Sequence, residues 1–325
     1  MAAIGIIANP AAGSDVRRLA SPAPFRTEAG IIAMVTAVAA GAAEAGVELI
    51  RYMPDRRGVV ARALVAAGVI AEPVECPRTG TRIDTQRAAA AMARLDVGAV
   101  VVLGGDGTNR DVAMHWRDAP VVALSSGTNN VFPSHWEPTA AGFAGGLVAT
   151  GAVPLVAVAR RALVAEVGEH LALVDLALLD GGFTGSRAVL STRALRELVI
   201  TIAEPGRVGL SAIGAVTRPS PRDVDGATHL RLAQFPHAKR WVRAAVLPGR
   251  YDDIGILDEQ TLDVGDTIVL RGPGVLAFDG ERDVVLDDDA GAEVSIRRDG
   301  PWVIDVMAAV ALPHVQRATG GRCAV

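Results

Sequence analysis

The segment Val100 to Asn109, VVVLGGDGTN, constrains this chain more than any other: an apolar run empties into three glycines around one aspartate, and a helical pattern follows. A buried strand ends this way when its turn must lie against a ligand. Gly104, Gly105 and Gly107 can take positive φ and let the backbone approach a ligand closely. Their amides, with those opening the next helix, then form a concave anion site backed by the helix dipole. Asp106 becomes an acid among phosphates. A carboxylate is unfavourable there unless it takes a proton or holds a metal ion, so the pattern points to phosphoryl transfer; the alternative is a plain aspartate-capped turn.

The first third alternates strand-like with helix-like segments. Ile4 to Ala8, Val47 to Tyr52, Val69 to Cys76, Ala99 to Leu103 and Pro120 to Leu124 read as strands, separated by helical patterns over Thr27 to Ala45, Arg57 to Ala67 and Thr85 to Leu95. This predicts a parallel sheet with helices on both faces, whose ligands sit at the carboxyl ends of the strands. Asn9, Asp106 and Gly127 follow such ends, so their loops are expected to share one cleft. Beyond roughly residue 150 the helical period fades into short apolar runs, among them Leu155 to Ala159, Ala172 to Leu179 and Ala188 to Leu190, which predict a β-rich second domain. Near the end, Trp302 to Val306 reads as a strand and Met307 to Arg317 as a helix interrupted at Pro313.

Composition narrows the partners. At 325 residues, half of them hydrophobic, the chain can bury a substantial core in two domains. A formal charge of −4 and a pI near 5.9 argue against nucleic acid and anionic membranes as general partners. Pro138 to Ala159 is uncharged, but its glycines and Pro154 break it, so stable membrane insertion is not expected. Two cysteines are too few for a disulfide framework, and Met1 to Ala8 lacks a leader's basic region, so a reducing cytoplasm is expected. There is no GxxxxGK[ST] loop, and Lys239 is the single lysine, which leaves phosphate charge to amides, arginines and a metal ion.

Four strings in order carry a resemblance. GGDGT after a buried strand is the signature of the superfamily that joins ATP-NAD kinases with diacylglycerol and sphingosine lipid kinases. Asn9-Pro10-Ala11-Ala12-Gly13 resembles the NPxxG nucleotide loop of its lipid-kinase branch, Gly127-Thr128-Asn129-Asn130-Val131-Phe132 the GTxND-F segment, and Phe278-Asp279-Gly280-Glu281 the DGE motif. NPAAGSDVRRL and GTNNVFP are most similar to the acetoin-catabolism X-protein group, an ATP-NAD-kinase-like family. One departure is Val131, where lipid kinases usually have aspartate.

The resemblance implies a two-domain α/β fold: a Rossmann-like parallel-sheet domain over 1–150, a β-rich substrate and metal domain over 151–300, and a tail over 301–325 that returns to the first domain. It implies ATP and Mg²⁺ as cofactors and a hydroxyl acceptor on NAD(H) or a small metabolite, linked to acetoin or diol breakdown. Asp106 is the expected catalytic base. Asn9, Pro10, Gly13, Gly104, Gly105, Gly107, Thr108, Asn109, Gly127, Thr128 and Asn130 are the expected nucleotide cradle. Asp279 and Glu281, two residues apart and on one face if extended, are the expected metal ligands, with a hairpin of solvated acids as the alternative.

Two other functions stay open: a lipid kinase, against which the 4% aromatic content weighs, and a nucleotide-binding sensor without turnover. Homo-oligomer formation stays open too. A basic patch, Lys239, Arg240, Arg243 and Arg250 flanked by His229 and His237, suits either an acidic substrate or a solvated strand face.

Overall fold

A computed structural model of the chain describes residues 1–9, 27–126, 130–181, 186–233 and 237–312. Five parallel strands, β1 (Ala3–Ala8), β2 (Leu49–Tyr52), β3 (Ala71–Pro73), β4 (Ala99–Gly104) and β5 (Pro120–Ser125), pair in the order β3-β2-β1-β4-β5. Their alternating side chains feed two cores. Ile4, Ile6, Val101, Leu103 and Leu124 point to one face, where α1 (Glu28–Glu44), α2 (Val59–Ala67) and α5 (Pro138–Ala149) pack. Ile7, Val100, Val102 and Ala123 point to the other, against α3 (Arg82–Arg94) and α4 (Asp106–His115).

Local chemistry sets the helix starts. Thr27 Oγ1 accepts the Gly30 amide at 3.1 Å to cap α1, and the Asp55 carboxylate accepts the Val59 and Val60 amides at the start of α2. Helices α1 and α5 touch through glycine. A Cβ on Gly41 would lie 2.0 Å from Thr139 O, and one on Gly142 would lie 2.0 Å from Val38 O.

The short α6 (Leu155–Val158) replaces the strand expected over Leu155 to Ala159, and β6 (Ala159–Arg161) follows it. Then come β7 (Val164–Val167), β8 (His170–Ala172), β9 (Asp175–Leu179), β10 (Leu195–Ile200), α7 (Ser211–Thr217), β11 (Ala227–Leu232), β12 (Arg240–Leu247), β13 (Arg250–Leu262), β14 (Thr267–Arg271), β15 (Gly274–Phe278), β16 (Glu281–Leu286) and β17 (Gly291–Arg297). An antiparallel sheet ordered β12-β13-β11-β10-β9-β15-β16 packs on a smaller one ordered β14-β17-β7-β8. Leu176, Leu276 and Phe278 from the first meet Ala165, Val294 and Ile296 from the second. Ala188 to Leu190, expected as a strand, makes one isolated bridge from Ala188 to Glu281.

The end of the chain crosses back. Strand β18 (Trp302–Ile304) pairs parallel with β5 and antiparallel with β6, so the first sheet has seven strands ordered β3-β2-β1-β4-β5-β18-β6. Asp305 then caps α8 (Val306–Ala311) by accepting the Ala308 amide.

Candidate active site

Strand β4 ends at Gly104, and Gly105, with φ −100° and ψ −169°, is the residue from which α4 springs. None of Gly104, Gly105 and Gly107 uses the positive φ open to glycine. Close approach is what excludes side chains here. A Cβ on Gly104 would sit 2.5 Å from Thr108 Cβ, and one on Gly105 would sit 2.8 Å from Asn130 Oδ1. Because Gly105 has no side chain, no side-chain cap closes the first turn of α4. Thr108 and Asn109 are buried on that turn. Asn109 Nδ2 donates to Gly105 O at 2.9 Å, while its Oδ1 and the nearby Ser126 Oγ are buried and, among the described residues, without partners.

The Asp106 carboxylate ties the glycine loop to the segment after β5. Its Oδ1 accepts the Val131 and Phe132 amides at 3.0 and 2.9 Å. Asn130 Nδ2 donates to Ser125 Oγ at 2.9 Å, and Ser134 exchanges backbone bonds with Ala123 and Ser125, folding this segment back on its strand. The same two residues are held from the other side. Arg222, from the loop before β11, donates to Phe132 O at 2.9 Å, Val131 O at 3.0 Å and Glu204 Oε1 at 2.9 Å. Glu204 is half-buried, yet the Arg222 and Arg207 guanidiniums beside it outweigh that burial and hold its carboxyl below the ordinary value.

Asp279 and Glu281 do not share one extended face, and the hairpin that the sequence left as the alternative is what forms. Strands β15 and β16 pair Phe278 with Glu281, so Asp279 and Gly280 form a two-residue hairpin turn with φ of 50° and 75°. The Asp279 carboxylate is turned inward. Its Oδ1 accepts the Leu173, Val174 and Asp175 amides at 3.0, 2.8 and 3.3 Å. Glu281, half-exposed, faces the glycine loop instead: a Cβ on Gly107 would lie 3.7 Å from its Oε1. The hairpin thus brings one carboxylate, not two, to the start of α4.

Sequence reading missed Arg110, which is 1% exposed. It donates to Phe278 O at 2.7 Å, lies 5.8 Å from the Phe278 ring centroid and stands 3.4 Å from Asp283 Oδ2. Asp283 also pairs with Arg82 and Arg187, and Arg82 reaches on to Asp111 at 2.7 Å. Burial alone would push the Asp283 carboxyl up, but the Arg110, Arg187 and Arg82 guanidiniums hold it below the ordinary range. The available signal was spacing. Arg110 stands four residues after Asp106 and so shares its helix face.

Asn9 donates its amide to Leu103 O at 3.2 Å, which places it beside the end of β4. Pro10, Gly13, Gly127 and Thr128 lie outside the described residues. The basic patch is matched by acids: Lys239 faces Asp258, Arg240 Glu259, Arg243 Asp253 and Arg250 Asp252, while His229 bonds Glu197 at 2.7 Å. Among the described residues, no group of three or more His, Cys, Asp or Glu side chains converges to hold a metal. No helix among them is long and apolar enough to cross a membrane.

Residues 4–151 match the ATP-NAD kinase N-terminal domain, and residues 158–299 match the acetoin catabolism protein X C-terminal domain. Over 324 residues the chain is 34% identical to acetoin catabolism protein X of Cupriavidus necator, covering 94% of this chain and 90% of that one. The chain belongs to the acetoin catabolism protein X family. A diacylglycerol kinase from Bacillus anthracis str. Sterne is similar at 11% identity, with 93% of this chain and 96% of that one covered and a TM-score of 0.46. In this acetoin catabolism protein X relative, an NAD-kinase-type parallel-sheet region is thus joined to a β-rich region with the family's own signature.

Proposed function

We propose that this protein is an ATP- and Mg²⁺-dependent kinase of the NAD-kinase-like group that phosphorylates a hydroxyl of NAD(H) or of a small metabolite linked to acetoin or diol breakdown. The observation that carries the reading is the meeting of three parts at the start of α4: the side-chain-free turn at Gly105, the Asp106 carboxylate, and Glu281 facing Gly107 from a distant hairpin. Phosphates would take the amides of the first helical turn, and the buried Asn109 Oδ1 and Ser126 Oγ leave bonding capacity beside it. Mg²⁺ is commonly held by one or two carboxylates together with the substrate's phosphates, so Glu281 fits as its protein ligand and the inward-turned Asp279 does not. When bound, the ion supplies charge neutralisation to the phosphoryl group. Asp106 is assigned to receive the acceptor's proton, and Asn130, packed on Gly105, to position the loop.

One observation favours a second reading, a nucleotide-binding sensor: the Asp106 carboxylate already accepts two amides and so has a structural task of its own. ATP consumption assayed against NAD, NADH, diols, sugars and diacylglycerol separates the two. Acceptor-dependent turnover supports the kinase. Saturable ATP binding without turnover on any of them supports the sensor, and turnover on diacylglycerol alone would move the protein to the lipid kinases.

A further inference from the structure

One anchor of Asp106 starts in the β-rich region. The Asp106 Oδ1 accepts the Phe132 amide at 2.9 Å, and the carbonyl on the other side of that peptide bond, Val131 O, accepts Arg222 Nη2 at 3.0 Å. One peptide group therefore stands between a guanidinium and a carboxylate, accepting from the first and donating to the second. The neighbouring bonds form no such route. Val131 N–H also donates to Asp106 Oδ1 at 3.0 Å, but the carbonyl of its peptide belongs to Asn130. Arg222 Nη1 also donates to Phe132 O at 2.9 Å, but that peptide leads to Pro133, which has no N–H.

The guanidinium is itself fixed. Glu204, from the segment after β10, accepts Arg222 Nε on Oε1 at 2.9 Å and Nη2 on Oε2 at 3.2 Å, and Arg207 Nε donates to the same Oε2 at 3.1 Å. The Glu204 carboxylate and the two carbonyls thus use the planar fork of an arginine, a geometry that a lysine ammonium does not reproduce. A bond from a cation to a carbonyl is charge-assisted, and bonds in a chain polarise one another. Drawing charge toward Val131 O makes the Phe132 N–H a stronger donor to Asp106.

We propose that Arg222 is a positioning residue for Asp106: acting through the Val131–Phe132 peptide, it fixes the direction of the carboxylate and ties the β-rich region to the start of α4. The inference rests on the reading of Asp106 as the group that receives the acceptor's proton, and it gives the β-rich region a second path to the chemistry, distinct from Glu281. Displacing the carboxylate by about an ångström misaligns it with a hydroxyl and leaves the amides offered to phosphate where they are. Loss of Arg222 therefore lowers turnover and spares ATP binding.

The test joins a spectroscopic arm, which needs no turnover, to a kinetic one. In the full chain the Phe132 amide proton, followed by NMR, should move upfield in Arg222→Met, as the proton of a weakened hydrogen bond does. The same substitution made on Asp106→Asn should move it much less. Arg222→Lys should fall between wild type and Arg222→Met. In ATP consumption with NAD, NADH, diols, sugars and diacylglycerol, Arg222→Met should lower kcat by roughly tenfold to a hundredfold, with the KM for ATP close to wild type. A Phe132 amide that stays in place, or that moves equally on both backgrounds, overturns the proposal. So does a raised KM for ATP with kcat intact. Thermal melts check folding, and if Arg222→Met does not fold, Arg222→Lys decides by the same two readouts. A wild-type chain without turnover on any acceptor removes the kinase reading, and the Phe132 amide alone then supports or overturns the positioning of Asp106.

Discussion

Asp106 is the first residue of α4 and its carboxylate holds two peptide groups of the neighbouring segment, so its substitution separates structure from chemistry. In Asp106→Asn the remaining carbonyl oxygen still accepts an amide. Folding and ATP affinity should stay close to wild type while turnover drops by about two powers of ten or more, the scale of a lost general base. Steady-state kinetics beside calorimetry checks this, and near-wild-type turnover would end the assignment. Gly105→Val should displace Asn130, because its Cβ would sit 2.8 Å from Asn130 Oδ1, and calorimetric ATP binding should weaken accordingly. Glu281→Gln should shift the Mg²⁺ requirement of activity upward far more than it weakens binding of the nucleoside portion, read from an Mg²⁺ titration at fixed ATP.

Between elements, two contacts make the architecture sensitive to small changes. Helices α1 and α5 pass so closely that Gly41→Ala would place a Cβ 2.0 Å from Thr139 O; urea unfolding should report a loss of about 1–3 kcal/mol. Asp283 joins β16 to α3 and α4 through Arg82 and Arg110, and removing its charge leaves the buried Arg110 without its closest carboxylate. Asp283→Asn should cost about 3 kcal/mol at neutral pH. Because the folded Asp283 carboxyl titrates below its unfolded value near 3.9, its stabilisation is complete above that value and is lost as pH falls through the depressed folded one. Unfolding midpoints measured from pH 7 toward pH 3 (roughly neutral to acid) should therefore decline less steeply in the variant than in wild type.

These elements also show what a sequence reveals. Strands β1, β4 and β5 are apolar on both faces and flanked by helices of ordinary length, so their pattern is legible. The run Leu155 to Ala159 was too short for periodicity to separate helix from strand. At the site, the glycine turn was legible because its composition is local. The inward turn of Asp279 was not legible because the amides that it accepts belong to residues 173–175, and Arg222 was missed because its partners, Val131 and Phe132, lie some ninety positions away. Nothing in either neighbourhood announces such partners.

For the whole molecule, the seven-stranded sheet is assembled from both ends of the chain. A fragment ending at residue 150 lacks β6 and β18, so the outer edge of β5 is left open at Pro120 and Val121. Such a fragment should be aggregation-prone and should not bind ATP, measured by sedimentation and calorimetry. If it remains soluble and binds ATP as the full chain does, the glycine-loop cleft does not need the later strands.

The return of β18 to β5 also sets a timetable for synthesis. Ser125 leaves the ribosome long before Trp302, and at roughly 5–20 residues per second the wait is on the order of ten seconds or more. Throughout that interval the nascent chain carries an open sheet edge beside the loop that faces Asp106. Among the described residues the last strand made is therefore the one that closes the first sheet, and a ribosome stalled anywhere in the β-rich region holds that edge open.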